Sequence, residues 1–117
     1  MNDFSLNKSR EFQARASQSL GGGVGHDLRY AEPVPIYITH GRGGRKWDVD
    51  GNEYVDFLMG NAALLLGHAD PAVVTAIEQA VGDGTHFGND HPRHIAWAEL
   101  VCQLLPSAER VRFVNSG

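Results

Sequence analysis

The amino-acid sequence predicts an α/β protein in which a helix and a small antiparallel sheet lead into a larger layered domain. Three observations carry this expectation. Apolar residues recur at helical spacing near the start, alternate with a period of two between Val34 and Phe57, and return to helical spacing from Val73 to Leu105.

The elements follow in order. Phe12, Ala16 and Leu20 recur at four-residue steps among Arg10, Glu11, Arg15 and Gln18, which predicts an amphipathic helix from Ser5 to Leu20, ended by Gly21-Gly22-Gly23. Residues 25–35 carry no period and contain prolines, so an irregular segment is expected. Val34, Ile36 and Ile38 then define a first strand, Trp47 and Val49 a second, and Tyr54 to Phe57 a third. Asp50-Gly51-Asn52 tolerates positive φ and suits the tight turn between the second and third. Asp70-Pro71 supplies an N-cap and a first-turn proline for a helix marked by Val73, Val74, Ile77, Ala80 and Val81 and stopped by Gly82 and Gly84. A second start at Asp90-His91-Pro92 opens a helix lined by Ile95, Ala96, Ala98, Leu100, Val101, Leu104 and Leu105, apolar on enough of its circumference to be buried on two sides. Arg110 to Val114 alternates as a last strand and runs into Asn115-Ser116-Gly117. A helical pair and a lone core strand would leave strand edges unpaired and an apolar face uncovered. The chain is therefore expected to be the amino-terminal piece of a longer protein, with residues 1–65 as an amino-terminal segment and 66–117 as the beginning of a larger domain.

Composition narrows the function. Of the 117 residues, 42% are hydrophobic and 21% charged, the balance of an ordinary globular protein. No apolar run is long enough to span a bilayer and the first residues lack the apolar core of a secretory signal, which leaves a cytoplasmic location as the default expectation. Ten Lys and Arg against fourteen Asp and Glu give a net charge of −4, with no basic block beyond Arg42, Arg45 and Lys46, so nucleic acid is not an expected partner. Cys102 is the sole cysteine and falls in an apolar helical pattern, where a buried structural thiol is expected.

Several motifs fail on spacing. Asp48, Asp50 and Asn52 imitate a calcium loop, but Gly51 comes too early and Met59 stands where the closing Glu belongs. Gly41-Arg42-Gly43-Gly44-Arg45-Lys46 has too short a spacing for a phosphate loop and no Ser or Thr after the lysine, so a basic turn is expected. Gly21 to Gly25 follows a helix rather than a strand and is no dinucleotide fingerprint. His91 and His94 share a helix start without a completing metal-ligand pattern, and capping is the expected role there. His68, between a leucine run and a capped helix, is expected to hydrogen-bond a turn.

Three ordered runs carry more. Trp47-Asp48-Val49-Asp50-Gly51-Asn52-Glu53-Tyr54-Val55-Asp56-Phe57, then Leu66-Gly67-His68-Ala69-Asp70-Pro71, then Arg112-Phe113-Val114-Asn115-Ser116-Gly117 resemble, in order and spacing, the amino-terminal signature segments of class III aminotransferases. Gly22-Gly23-Val24 with Arg29 is similar, more narrowly, to the glutamate-1-semialdehyde aminomutase and β-amino-acid aminotransferase branch. The resemblance implies a fold-type I enzyme with a three-layer α/β/α large domain, acting as a homodimer on an amino donor and an oxo acceptor. Its cofactor would be pyridoxal 5'-phosphate, held as a Schiff base by a lysine beyond Gly117. Lys8 and Lys46 are the only lysines here and both are expected in exposed polar settings, so this chain supplies no catalytic lysine and is expected to be inactive alone. The resemblance also implies that Ser116 and Gly117 hold the cofactor phosphate, where helix-start amides and a hydroxyl favour a dianion. It places Arg29 at the substrate carboxylate, a role that a guanidinium fork suits. Two positions depart from the aminomutase pattern: His26 replaces a serine, and Asn61 replaces a tryptophan at the substrate site. The expected reaction is amino transfer from an amino acid or β-amino acid. Isomerisation by an aminomutase, and a small non-catalytic α/β binding module, are the alternatives.

Overall fold

A computed structural model describes residues 4–115, and its contacts divide the chain into two compact units, Met1–Ala76 and Ile77–Gly117. The α/β class holds, with helices and a three-stranded antiparallel sheet in the order β1-β2-β3.

In the first unit, helix α1 spans Asn7–Ala16, shorter than the expected Ser5 to Leu20. The Ser17 hydroxyl returns to the Gln13 carbonyl at 2.9 Å, and Gln18 and Ser19 bond back to Arg15 and Ala16 three residues earlier, which tightens the last turn and ends the helix. Neither Leu6 nor an acidic residue of the first turn caps its start. That role is taken from a distance. Asp50 accepts the Lys8 amide at 2.8 Å, the Ser9 amide at 2.9 Å and the Ser9 hydroxyl at 2.6 Å. A carboxylate at a helix start satisfies orphan donors and complements the dipole, and here it also ties α1 to the sheet.

Strands β1 (Ile38–Arg42), β2 (Arg45–Asp48) and β3 (Glu53–Val55) form the sheet. The first strand lies beyond its expected place at Val34 to Ile38. Gly43-Gly44 makes the tight connection, and pairing runs outward from it through Arg42↔Arg45, Gly41↔Lys46 and His40↔Trp47, with a register shift before Ile38↔Asp48. The turn sets the register. Val34 is buried, but it precedes the ladder. The expected basic turn at Gly41 to Lys46 is thus mostly paired strand. Between β2 and β3 the expected turn is present, with Gly51 at φ 87°.

After β3 comes a single turn, α2 (Met59–Ala62), which the sequence pattern does not announce. Helix α3 (Pro71–Val81) begins where expected, with Asp70 Oδ1 accepting the Ala72 and Val73 amides at 3.0 and 3.2 Å.

In the second unit, helix α4 (Pro92–Leu104) is capped by His91, whose Nδ1 accepts the Arg93 amide at 3.1 Å. The expectation that α4 is buried on two sides is corrected: no residue of α3 or α4 is buried, and Ile95, Trp97, Leu100 and Leu104 are exposed. Among the described residues Trp97 has Phe113 against one face of its ring and still keeps about half of its surface exposed. Cys102 is half-buried and free, rather than fully enclosed. Arg110 to Val114 forms no ladder, because no strand lies beside it among the described residues. It meets α4 through Phe113, which stacks on Trp97 at 3.8 Å between ring centroids. Among the described residues, no helix is long and apolar enough to cross a membrane.

Candidate functional site

Arg29 ends a short 3-10 turn, Asp27–Arg29, that His26 caps by accepting the Leu28 amide on Nδ1 at 3.2 Å. Its side chain lines a cavity of about 860 Å³ in the first unit, walled by Phe12, Leu20, Val24, Ile36, Ile38 and Val49, with Lys46 as the other cation. Among the described residues no carboxylate pairs with the Arg29 guanidinium. Gly25 leaves room for it, since a Cβ there would stand 3.1 Å from Arg29 Nη1. A cation at the wall of an apolar cavity can take a carboxylate by a bidentate fork.

Lys46 is not in the exposed setting expected of it. As a strand residue beside the Gly43-Gly44 turn, it reaches the buried Asp56 carboxylate at 3.1 Å and keeps 26% of its side chain exposed. Asp56 is a hub. Oδ1 accepts Lys46 Nζ and the amides of Leu58 (3.0 Å) and Met59 (3.2 Å), and Oδ2 accepts His68 Nε2 at 2.6 Å. The His68 hydrogen bond is the main reason that the Asp56 carboxyl stays well below the usual carboxylate range; burial opposes this, and Lys46 and the two amides add to it. The imidazole therefore serves a carboxylate rather than the turn backbone expected for it. Its backbone is pinned as well, exchanging hydrogen bonds with Gly43 at 2.8 and 2.9 Å. The ring fits only because residue 41 is glycine: a Cβ there would lie 2.6 Å from His68 Cγ.

Asn61 lies in α2, immediately beyond this hub. Met59, Gly60, Asn61 and Ala62 all have positive φ, from 46° to 65°. Left-handed backbone costs about 1–2 kcal/mol for an ordinary L-residue, and such strain concentrates at functional positions. Asn61 itself is exposed and is not among the residues lining the Arg29 cavity. The structure thus brings Arg29 and Lys46 to one cavity and leaves Asn61 on the neighbouring loop.

A second polar hub holds the β2–β3 turn. Asp48, 3% exposed, accepts the Asp50 and Asn52 amides at 3.0 and 2.8 Å, Asn52 Nδ2 at 2.7 Å and the Tyr54 hydroxyl at 2.7 Å. Burial would raise its carboxyl, but the donors from Asn52, Tyr54 and the turn amides outweigh that and hold it below its ordinary value. Asp50 is lowered in the same way: burial opposes, and the Ser9 hydroxyl with the Lys8 and Ser9 amides prevails. Burial first, and the Asp48 carboxylate second, push the Tyr54 phenol up to about 12. The calcium-like spacing of Asp48, Asp50 and Asn52 is thus occupied by protein donors. Among the described residues no group of three or more His, Cys, Asp or Glu is placed to hold a metal ion.

The phosphate-binding pair expected at Ser116 and Gly117 lies outside the described residues. Sequence reasoning missed the roles of Lys46, Asp50 and Asp56. The legible signal was the crowding of small residues, Gly41, Gly43 and Gly67, where close backbone approach makes room for His68; a Cβ on Gly67 would lie 2.9 Å from Gly43 Cα.

Comparison with known proteins places the chain in a family. The sequence model of the class-III aminotransferase family matches residues 28–117. A glutamate-1-semialdehyde 2,1-aminomutase of Aquifex aeolicus (strain VF5) is 42% identical over 113 residues, 94% of this chain and 27% of the relative. A solved transaminase with PLP bound superposes with a TM-score of 0.91 at 40% identity, over 97% of this chain and 27% of its own. A β-phenylalanine aminotransferase from Variovorax paradoxus gives a TM-score of 0.87 at 28% identity, over 95% of this chain and 26% of its own. The chain spans about a quarter of the length of the curated relatives it matches. It belongs to the class-III aminotransferase family.

Proposed function

We propose that the protein acts as a pyridoxal 5'-phosphate-dependent aminotransferase, moving an amino group from an amino acid or β-amino acid to an oxo acid, as a homodimer. The single observation that carries this reading is the Arg29 guanidinium at the wall of an apolar cavity, with no carboxylate partner among the described residues, in a chain of this family. Arg29 would hold the donor carboxylate, and the apolar wall would take the rest of the donor. Asn61 stands where the aminomutase pattern has a substrate-site tryptophan, and it is proposed as a second substrate contact.

Ser116 and Gly117 would hold the cofactor phosphate. The donor chemistry fits: a hydroxyl, backbone amides and a residue without a Cβ suit a dianion. When bound, the cofactor supplies an electron sink for the carbon that loses a proton. What this chain contributes is orientation and charge, not the proton-moving lysine; Lys46 is engaged by Asp56 and Lys8 is exposed. In this reading residues 66–117 begin the cofactor-binding domain and residues 1–65 precede it.

The aminomutase reading is favoured by curated relatives such as that of Aquifex aeolicus. His26 and Asn61, which depart from the aminomutase pattern, favour amino transfer. Membership in an aminotransferase family weighs against a stand-alone binding module. Isotopic labelling decides between the enzymes: with a nitrogen-15 donor and an unlabelled oxo acid, amino transfer puts the label on the acceptor skeleton, whereas isomerisation leaves it on the donor skeleton. Arg29→Ala should cut kcat/KM by about 2 kcal/mol or more, roughly thirty-fold, with the absorbance of the bound cofactor unchanged. Unchanged kcat/KM across donors removes Arg29 from the site.

A further inference from the structure

The loop from Asp56 to His68 is closed at its base. Its two ends meet through the Asp56–His68 contact at 2.6 Å, and its far end is fixed to the sheet by the paired backbone bonds between His68 and Gly43. At its crown stand four consecutive left-handed residues, three of them not glycine. Among the described residues apolar packing does little to hold this turn in place: Met59 and Leu64 are half-buried, but Phe57, Leu58, Leu65 and Leu66 are all exposed, Phe57 at 93% and Leu65 at 91%. What holds it is polar. The same carboxylate that meets His68 accepts the amides of Leu58 and Met59, the two residues that lead into the turn. Lys46 completes the hub from β2 and also lines the Arg29 cavity.

We propose that His68 is a positioning residue: acting through Asp56, it clasps the 56–68 loop and fixes the left-handed turn that presents Asn61, so the choice of amino donor depends on this contact. The selectivity half of the inference rests on the aminotransferase reading above; the clasp half does not. An imidazole that orients a carboxylate fixes where that carboxylate's remaining lone pairs point, and so fixes the amides they accept. Without the imidazole, the buried Asp56 oxygen loses its partner, and its carboxylate is free to rotate toward Lys46 and away from Leu58 and Met59.

The test uses the holoenzyme with two readouts, hydrogen exchange of individual amides and kcat/KM for a panel of acidic and apolar amino donors. His68→Ala should speed exchange at Leu58 and Met59 at least tenfold, with the β2 amides unchanged, and should shift the ratio of apolar to acidic donor efficiency at least tenfold. His68→Gln, which keeps an N–H donor, should restore both to within threefold of the parent. If His68→Ala fails to load cofactor, Asp56→Asn, of equal volume, takes its place and should show the same two changes. Unchanged exchange at Leu58 and Met59 overturns the clasp. Faster exchange with an unchanged donor ratio overturns the selectivity role and leaves His68 a structural residue. A parent holoenzyme that transfers no amino group from any donor overturns the aminotransferase reading and the selectivity half together, while exchange still decides the clasp.

Discussion

In Met1–Ala76 the buried side chains include Asp48 and Asp56, each satisfied by several donors, and Ser9, whose hydroxyl is held by Asp50; among the described residues Val34 is the buried aliphatic one. In Ile77–Gly117 no described residue is buried, and Ile77, Val81, Ile95, Trp97, Leu100 and Leu104 all face outward. The difference lies in what each unit uses to hold its shape. The first is fixed by carboxylates that gather donors: Asp50 takes the Lys8 and Ser9 amides from 42 and 41 positions away, Asp48 takes the amides of its own turn, and Asp56 takes the imidazole of His68. The second has one well-started helix, α4, and the end of α3, both with unfilled apolar faces among the described residues. Helix capping sets where a helix begins, but apolar burial supplies most of what keeps it folded in a protein. Within its own contacts, the second unit has the His91 cap without the burial.

That contrast can be broken at Asp48. Asp48→Ala strips an acceptor from the Asp50 and Asn52 amides, the Asn52 amide group and the Tyr54 hydroxyl, and should cost about 4 kcal/mol of local stability. The opening free energy of the β2 amides, measured by native-state hydrogen exchange, reads this directly. A loss below about 1 kcal/mol would mean that the polar hub is decoration and the two units are alike.

A smaller effect should appear with pH. The Tyr54 phenol is raised from 10.0 to about 12 in the folded protein, so the stability it contributes is complete below pH 10 and drains away as pH rises from 10 toward 12. Asp48 shifts the other way: its carboxyl is held below the ordinary 3.8, so its contribution is complete above that value and is lost as pH falls below it. Tyr54→Phe should flatten the alkaline limb of a β2–β3 stability profile and leave the acid limb in place. An alkaline limb identical in the variant would place the titration elsewhere.

The smallest effect sharpens the comparison from the other side. Ile77→Ser or Leu100→Ser alters a side chain that is 58% or 50% exposed, and within the contacts described here each should stay within about 0.5 kcal/mol. A loss of about 2 kcal/mol or more in the purified protein would show that these faces are covered.

How much was legible in the sequence follows the same division. The Asp70-Pro71 helix start, the Asp50-Gly51-Asn52 turn and the α4 start were readable because each is decided by residues within a few positions of one another. The place of β1 was not. Alternation marked Val34 to Ile38 as well as any other stretch, but the ladder grows outward from Gly43-Gly44 and reaches only to Ile38. The expected strand at Arg110 to Val114 has the right alternation and no neighbour, and a strand exists only through its pairing. The cap of α1 comes from a carboxylate 42 positions away, and the left-handed run at Met59 to Ala62 is hinted at only by Gly60 and Asn61, since Met59 and Ala62 disfavour that backbone. Of the candidate site, Arg29 stood out in the sequence, and in the fold it lines the cavity. The Asp56–His68 contact, which joins two positions read separately, required the fold.

The central claim is that this chain carries donor recognition at Arg29 and cofactor phosphate binding at Ser116 and Gly117, as separable functions. Titration of pyridoxal 5'-phosphate into the full protein tests it most directly, with Arg29→Ala and Gly117→Val run side by side and folding checked by circular dichroism. Gly117→Val, in which a β-branched side chain crowds the phosphate, should lose cofactor affinity strongly, while Arg29→Ala should bind the cofactor like the parent and fail only with donors. Equal cofactor affinity in the parent and Gly117→Val, or loss of cofactor in Arg29→Ala, would contradict the account.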